Sequence, residues 1–391
     1  MRDVSSPIPP VEHEMSGTNI LRHVSSLLLA FLLTRLTLIA LGVLSITYLP
    51  MITGDEYRHV DAGPALDMWY RWDAGFYTSI ALYGYQWATF HKPSADMAFF
   101  PLYPGLIRGL NRITGCTQVR CALVNGLVIS NLALLASVYM LFEVVRTHKG
   151  YAVAYRSVGL LLLSPISIFL SGCYTEALFL CLTLVVFLAL QKKHFGLAVL
   201  AATAASLTRL VGAALCLLLL YDSWQSSRHR RMLRAVLSAV PLIALAVYIA
   251  YMGNTVGDWT AYFSANAHIW RRSAGNRPWE VFTGYFTEEV SIWGWRRSWI
   301  DLFFTLFYLF LAIATFARDR AAGAFALLGI GIPLLSGTLV SMPRYGGVLF
   351  PFYQTVAEWA DRRWKLALAC AASFLLLALF TARFVTWHWI A

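Results

Sequence analysis

Charge is what this chain has least of. Asp, Glu, Lys and Arg make up 13% of its 391 residues, where a soluble domain carries about a quarter. That scarcity excludes an ordinary soluble protein, and the 59% of hydrophobic residues agrees. Cysteine is also sparse. Six dispersed residues exclude a disulfide framework, and no spacing among them suggests zinc. Cys173, Cys181, Cys216 and Cys370 lie in or beside apolar runs, as packing residues do; Cys116 and Cys121 could pair if they face outward. Acidic side chains are outnumbered, 20 to 31, leaving a net charge of +11. This surplus does not point to nucleic acid, because the Lys and Arg are scattered through short loops between apolar runs, as a membrane topology signal is. No exact internal repeat is visible, which weakens an inverted-repeat transporter.

Apolar runs of spanning length are what the chain has in abundance. They are continuous and Leu/Ala-rich rather than alternating, so membrane helices are expected and not a barrel. Residues 1–26 read as a disordered cytoplasmic tail, and 27–391 as one transmembrane domain. The first run, 27–50, is an anchor and not a cleaved signal. A polar first outer loop, 51–120, follows. Further spans fall near 122–145, 154–171, 174–190, 233–253, 299–317, 321–341, 345–360 and 365–386, with a second long outer loop at 254–298. The basic loops around Arg146–Lys149, Lys192–Lys193, Arg228–Arg234, Arg318/Arg320 and Arg362–Lys365 should all be cytoplasmic. Parity then requires 195–222 to enter and leave on one side. Its length of about 27 residues is too short for two crossings of about 20 each. The expectation is two half-helices meeting at Arg209, within an all-α bundle of about 9–11 membrane helices.

This topology gathers the unusual polar residues on the outer side. Asp73 stands in Arg71-Trp72-Asp73, ahead of a helical stretch. It reads either as the cap of that helix or as a carboxylate that accepts a proton; Asp61 and Asp67 in the same loop are weaker candidates. Arg209, near mid-membrane, needs a partner, a cavity or a route for snorkelling. Its donor fork also suits a phosphate. Arg35 inside the first span either snorkels or pairs with a carboxylate. Glu176 opens a span after Tyr174-Thr175; it either complements the helix dipole or orients an Arg or a substrate. Arg344-Tyr345 sits in a Pro/Gly turn beside headgroups or a lipid phosphate. Phe99–Pro104 reads as a staple of the loop onto the spans, or as part of the lining of a lipid-tail groove. His268, Arg271, Arg272 and Arg277 read as mostly solvated, though a Trp-Arg mixture of this kind can also hold sugars or anionic headgroups. Arg71 holds a phosphate or anchors the loop.

These motifs, in this order, resemble the PIG-V-type mannosyltransferases of the GT-C glycosyltransferase superfamily. The resemblance rests on Arg71-Trp72-Asp73 with Ile80–Tyr85, on Phe99–Pro104, on Ser164–Phe169 through Tyr174–Phe179, on Thr208-Arg209 with Gly212, and on Ser341–Tyr353. Leu210-Val211 depart from the commoner Asn-Gly pair of the family. The resemblance implies a GT-C-like membrane fold with its site on the outer or lumenal face. It implies a polyprenyl-phosphate sugar as donor, most simply of mannose, and a lipid, glycan or protein acceptor, with no nucleotide sugar and no nucleic acid. Inverting transfer would use Asp73 as general base. Arg209 and Arg344 would hold the donor phosphate; Arg71, Trp72, Tyr174, Glu176 and Tyr345 would bind substrate. No cofactor is expected, and no close carboxylate pair demands a metal. A transporter or flippase for lipid-linked sugars shares the same groove and buried Arg and stands as the alternative.

Overall fold

A computed structural model of the chain describes residues 17–54, 59–85, 94–270, 272, 278–295 and 297–390. Their regular structure is helical, apart from one isolated bridge between Ser291 and Ser298. Among the described residues, five stretches are long and apolar enough to cross a membrane: Leu21–Tyr48, Val119–Leu162, Arg228–Val256, Trp299–Phe316 and Arg363–Val385. Shorter apolar helices occupy Glu176–Gln191, Phe195–Ser206, Leu210–Trp224 and Arg320–Leu334.

The first helix runs from Gly17 to Tyr48, so it begins inside the stretch read as a tail; residues 1–16 lie outside the described residues. Leu27, Phe31, Arg35 and Leu38 are buried at helical spacing, while Leu29, Leu33 and Leu36 are more than half exposed. An apolar face left open opposite a packed stripe fits a lipid solvent, where inward packing rather than water avoidance selects the buried side.

The helix Val119–Leu162 has 44 residues and is interrupted at Gly150, whose φ of 82° and ψ of 173° no helix accommodates. It is therefore two helices joined at Gly150. The expected span 154–171 stops at Leu162, because Pro165 disfavours helical geometry in the residue before it. A short helix, Ser167–Ser171, follows. Arg35 fills this break. Its Nη2 donates to the Leu162 carbonyl (3.0 Å) and the Ser167 hydroxyl (2.7 Å), and its Nη1 to the Ser171 hydroxyl (2.6 Å). Arg35 thus neither snorkels nor pairs with a carboxylate; it supplies donors to carbonyls that a helix end leaves open.

Later boundaries shift for similar reasons. The expected span 345–360 is two short helices, Met342–Gly347 and Pro351–Trp359, because two glycines and a proline interrupt it. Neither is long enough to cross alone. In the first loop, Phe99 and Phe100 are each 7% exposed and Tyr103 is fully buried, as a staple requires. The Leu102 amide donates to the Leu207 carbonyl at 3.0 Å, which fastens this loop to the break at Arg209. Cys116, in the turn after helix Leu102–Thr114, and Cys121, in the first turn of helix Val119–Leu162, form a disulfide.

Candidate active site

Four chain breaks deliver the site. The first is the entry to helix Asp73–Tyr83. Trp72 precedes it with φ 50° and ψ −117°. A bulky side chain rarely adopts positive φ, and such strain persists only where the surroundings enforce it. Asp73 is the first helical residue, and no side chain caps this helix. The Asp73 carboxylate therefore does not act as the cap. It accepts instead from Arg344 Nη1, at 2.7 Å.

The second break lies between helix Phe195–Ser206 and the 3-10 turn Leu210–Ala214. Arg209 is fully extended there, at φ −152° and ψ 144°. Two short helices do meet at Arg209; their course through a bilayer rests on the charge pattern alone. Gly212 is required by the close approach that follows. A Cβ at that position would lie 2.3 Å from the Ala205 carbonyl carbon and oxygen. The third break is the turn Gly172–Thr175 before helix Glu176–Gln191. The fourth is the left-handed Ser341, φ 70°, which starts the helix carrying Arg344 and Tyr345.

These breaks converge on a connected set of charges. Glu176, 1% exposed, pairs with Arg209 Nη1 through Oε1. Arg344 Nε lies 3.0 Å from the same oxygen; the charges are in contact, but the N–H is not aligned as a hydrogen bond. Arg344 thereby bridges Asp73 and Glu176. Tyr345 sits among three guanidiniums: Arg209 at 4.9 Å from its ring centroid, Arg272 at 5.0 Å and Arg344 at 5.8 Å. Arg272 also donates to the Tyr345 hydroxyl and to the Val340 carbonyl. The two carboxylates offset two of the three guanidiniums, so the cluster carries a positive surplus. Burial, and then the charges of Asp73 and Glu176, push the Tyr77 phenol well above its usual pKa, so Tyr77 enters as a neutral hydroxyl.

The cluster opens into a cavity of about 1080 Å³. Trp72, Asp73, Tyr77, Tyr174, Arg209, Arg272, Arg344 and Tyr345 line it. Its aromatic walls form two groups by their ring contacts. In one, the lining residues Phe99 and Trp270 meet edge to face, and Phe76, itself outside the lining, stacks on Phe99. Trp72, Trp295 and Trp389 meet in the other. Among the described residues, no group of three or more His, Cys, Asp or Glu side chains is placed to hold a metal ion.

Arg71 does not belong to this lining. It is fully enclosed and donates to the Asp67 carboxylate (2.7 Å) and to the carbonyls of Asp67, Tyr70 and Val385. Its place is in the scaffold, where a guanidinium with this many acceptors satisfies its donors. Asp67 is committed to the same cluster, and Asp61 is exposed. Tyr174 faces the cavity with its ring, while its hydroxyl donates to the Arg71 carbonyl at 2.9 Å. His268 lines the cavity; Arg271 and Arg277 lie outside the described residues. Arg272, read from the sequence as mostly solvated, lines the cavity, and Trp295 and Trp389 line it without having been singled out. The abundance of Trp and Arg in 254–298 was the available signal for the first two.

The sequence profile of a family described as mannosyltransferase (PIG-V) matches residues 20–279, more than half of the chain. The chain belongs to this mannosyltransferase family. The matched stretch includes Asp73, Glu176, Arg209 and Arg272; Arg344, Tyr345 and Trp389 lie beyond it. No curated protein sequence matches the chain. Among solved structures, the apo oligosaccharyltransferase of Archaeoglobus fulgidus is similar with a TM-score of 0.52 at 13% identity, over 94% of this chain and 57% of that one. That likeness supports the GT-C membrane fold. ArnT from Cupriavidus metallidurans, bound to undecaprenyl phosphate, is similar with a TM-score of 0.49 at 15% identity, over 91% of this chain and 75% of that one. The archaeal oligosaccharyltransferase AglB from Archaeoglobus fulgidus, in complex with an inhibitory peptide and a dolichol-phosphate, gives 0.49 at 11% identity, over 94% and 56%. The family and the helices together make this an integral membrane glycosyltransferase.

Proposed function

We propose that the protein transfers one sugar, most simply mannose, from a polyprenyl-phosphate donor to a lipid, glycan or protein acceptor, with inversion at the anomeric carbon. One observation carries this reading: Asp73 is turned away from its own helix and held by Arg344 at the edge of a cavity where Arg209 and Arg272 also gather. A cap would have no use for that geometry. The cationic surplus suits a single phosphate, because guanidiniums bind phosphate oxygens through paired N–H donors. Leu210, Val211, Ile332 and Leu335 line the cavity near Arg209, and Leu210 and Leu335 are 37% and 55% exposed. That apolar side is the route assigned to the polyprenyl tail.

In the resting site Arg344 Nη1 donates to the Asp73 carboxylate and occupies it. An arriving phosphate competes for Arg344 and loosens that pair. The acceptor oxygen then attacks the anomeric carbon while its proton passes to the Asp73 carboxylate. The bond from the anomeric carbon to the phosphate oxygen breaks on the opposite face, and the phosphate leaves with its electron pair. Arg209, Arg272 and Arg344 offset the charge that grows there. Glu176 orients Arg209 and Arg344 and stays buried. By the charge distribution of the loops, the cavity faces outward, across the plasma membrane if the chain is bacterial.

The test is Asp73→Asn. It keeps the shape and removes the base. Transfer from mannosyl-phosphoryl-polyprenol should fall by about 10²–10⁴-fold, with donor binding retained. Turnover like that of the wild type in a well-expressed variant would sink the assignment.

A further inference from the structure

The residues after the last helix, Arg363–Val385, close one side of the cavity. Trp389 and Ile390 line it beside Trp72 and Asp73. Several groups fix this segment. The buried Arg71 donates to the Val385 carbonyl (3.0 Å) and lies over the Trp387 ring at 4.9 Å. The Ile52 amide donates to the Thr386 carbonyl (3.1 Å), and Arg383 Nη2 to the Trp389 carbonyl (3.2 Å). Trp72 touches both Trp387 (5.4 Å) and Trp389 (5.3 Å), and Trp295 meets Trp389 at 4.1 Å.

Two features set this wall apart from ordinary packing. Trp72 and Trp387 both have positive φ, 50° and 65°, and they touch each other. Backbone strain at two adjoining bulky residues is maintained only where the surrounding structure over-determines it, and it collects at functional sites. The indole nitrogens of Trp72 and Trp389 are also buried without a hydrogen-bond partner in the structure. An unpaired buried donor is costly, so such groups call for an explanation.

Resting on the transferase reading above, we propose that residues 386–390 form the acceptor wall of the site. Trp72, Trp295 and Trp389 there stack on a sugar ring of the acceptor, beside Asp73. The donor is already accounted for on the other side, where Arg209 adjoins the exposed apolar residues. An indole offers a flat apolar face and one N–H donor. A pyranose offers a face of C–H groups with a rim of hydroxyls. Where a sugar parts these rings, its hydroxyl oxygens would satisfy the orphan donors, and Glu288, half-exposed on the cavity lining and paired with Arg297, can accept from further hydroxyls. Arg71 is then a positioning residue, joining the loop that carries Asp73 to the wall that carries Trp389.

The test uses the full chain in nanodiscs and methyl α-mannopyranoside as probe, with Kd read by saturation-transfer NMR and no donor present. Trp389→Ala and Trp295→Ala should each weaken the probe about tenfold, and Trp389→Phe by less. The affinity for mannosyl-phosphoryl-polyprenol should change less than twofold. Equal probe affinity in wild type and Trp389→Ala, no probe binding by the wild type, or a loss confined to the donor would each overturn the assignment. So would a preference for a sugar-free Ser/Thr peptide that Trp389→Ala leaves intact. Saccharide binding that depends on Trp389, in a protein that never consumes the donor, would support the wall and sink the transferase reading alone.

Discussion

Arg71 has no exposed surface, and its carboxylate partner, Asp67, also accepts from the Val60 amide (2.8 Å) and contacts His59 at 3.0 Å. A buried guanidinium whose charge is offset by a single carboxylate depends on that partner. Removing Asp67 leaves that charge uncompensated, at a cost of about 3–5 kcal/mol. Asp67→Ala should therefore lower the melting temperature in detergent sharply, and Asp67→Asn by less, since an amide oxygen still accepts a hydrogen bond. The pH dependence follows from the same contacts. Burial raises the Asp67 pKa, but hydrogen bonds from Arg71, Val60 and His59 outweigh it, and the value ends below the ordinary 3.8. A depressed carboxylate stabilises fully above its unfolded pKa and loses that contribution as pH falls through the folded value. Melting temperature followed downward from about pH 5 should drop more steeply below 3.8 in the wild type than in Asp67→Asn. Parallel curves would show that the pair contributes nothing.

At the scale of elements, the site depends on where helices stop. Gly212 lets the turn after Arg209 press against Ala205. Gly212→Ala forces these backbones apart, and overpacking of this kind costs about 1–3 kcal/mol. The displacement falls on Arg209, whose tie to Glu176 holds the charge cluster together. Gly212→Ala should therefore lose transfer activity well beyond its loss of stability, read by assaying turnover at a temperature where the variant remains folded. Gly105→Ala is the control, because a Cβ there meets open space. This break was legible in the sequence: an Arg amid apolar residues, a length too short for two crossings, and the need for parity all pointed to Arg209. The interruption of 345–360 was not read, although Gly346, Gly347 and Pro351 marked it, because apolar composition records burial and not helix length. Nor was the enclosure of Arg71. The acceptors that enclose it include the Val385 carbonyl, 314 positions away in sequence, and backbone carbonyls carry no residue signature. Asp73 was ambiguous for a related reason. A carboxylate at a helix start reads alike as cap and as reactive group; its contact with Arg344 removes the cap reading and leaves the reactive one as a proposal.

For the whole molecule, the distribution of charge argues one orientation. Lys149 and Arg318, from two separate basic loops, both reach Glu358, at 3.0 and 3.7 Å. Arg156 donates to the Asp361 carbonyl nearby. Three chain segments rich in Lys and Arg thus meet at one end of the bundle. The charge cluster lies away from that end. Glu176 starts its helix and Lys192 caps the far end; 16 residues separate them by about 24 Å at 1.5 Å per residue. On the orientation proposed above, the positive-inside rule makes the basic end cytoplasmic, and Asp73, Glu176 and Arg344 would then face outward. In a variant whose free cysteines are replaced, Thr287→Cys and Lys193→Cys make separate probes, since both positions are exposed. An impermeant thiol reagent added to sealed right-side-out vesicles should label Cys at position 287 and spare position 193, with the pattern reversed in inverted vesicles. Labelling of both positions from one side would overturn the orientation and, with it, an outward-facing site. The charge cluster would stand, because it rests on the side-chain geometry and not on the bilayer.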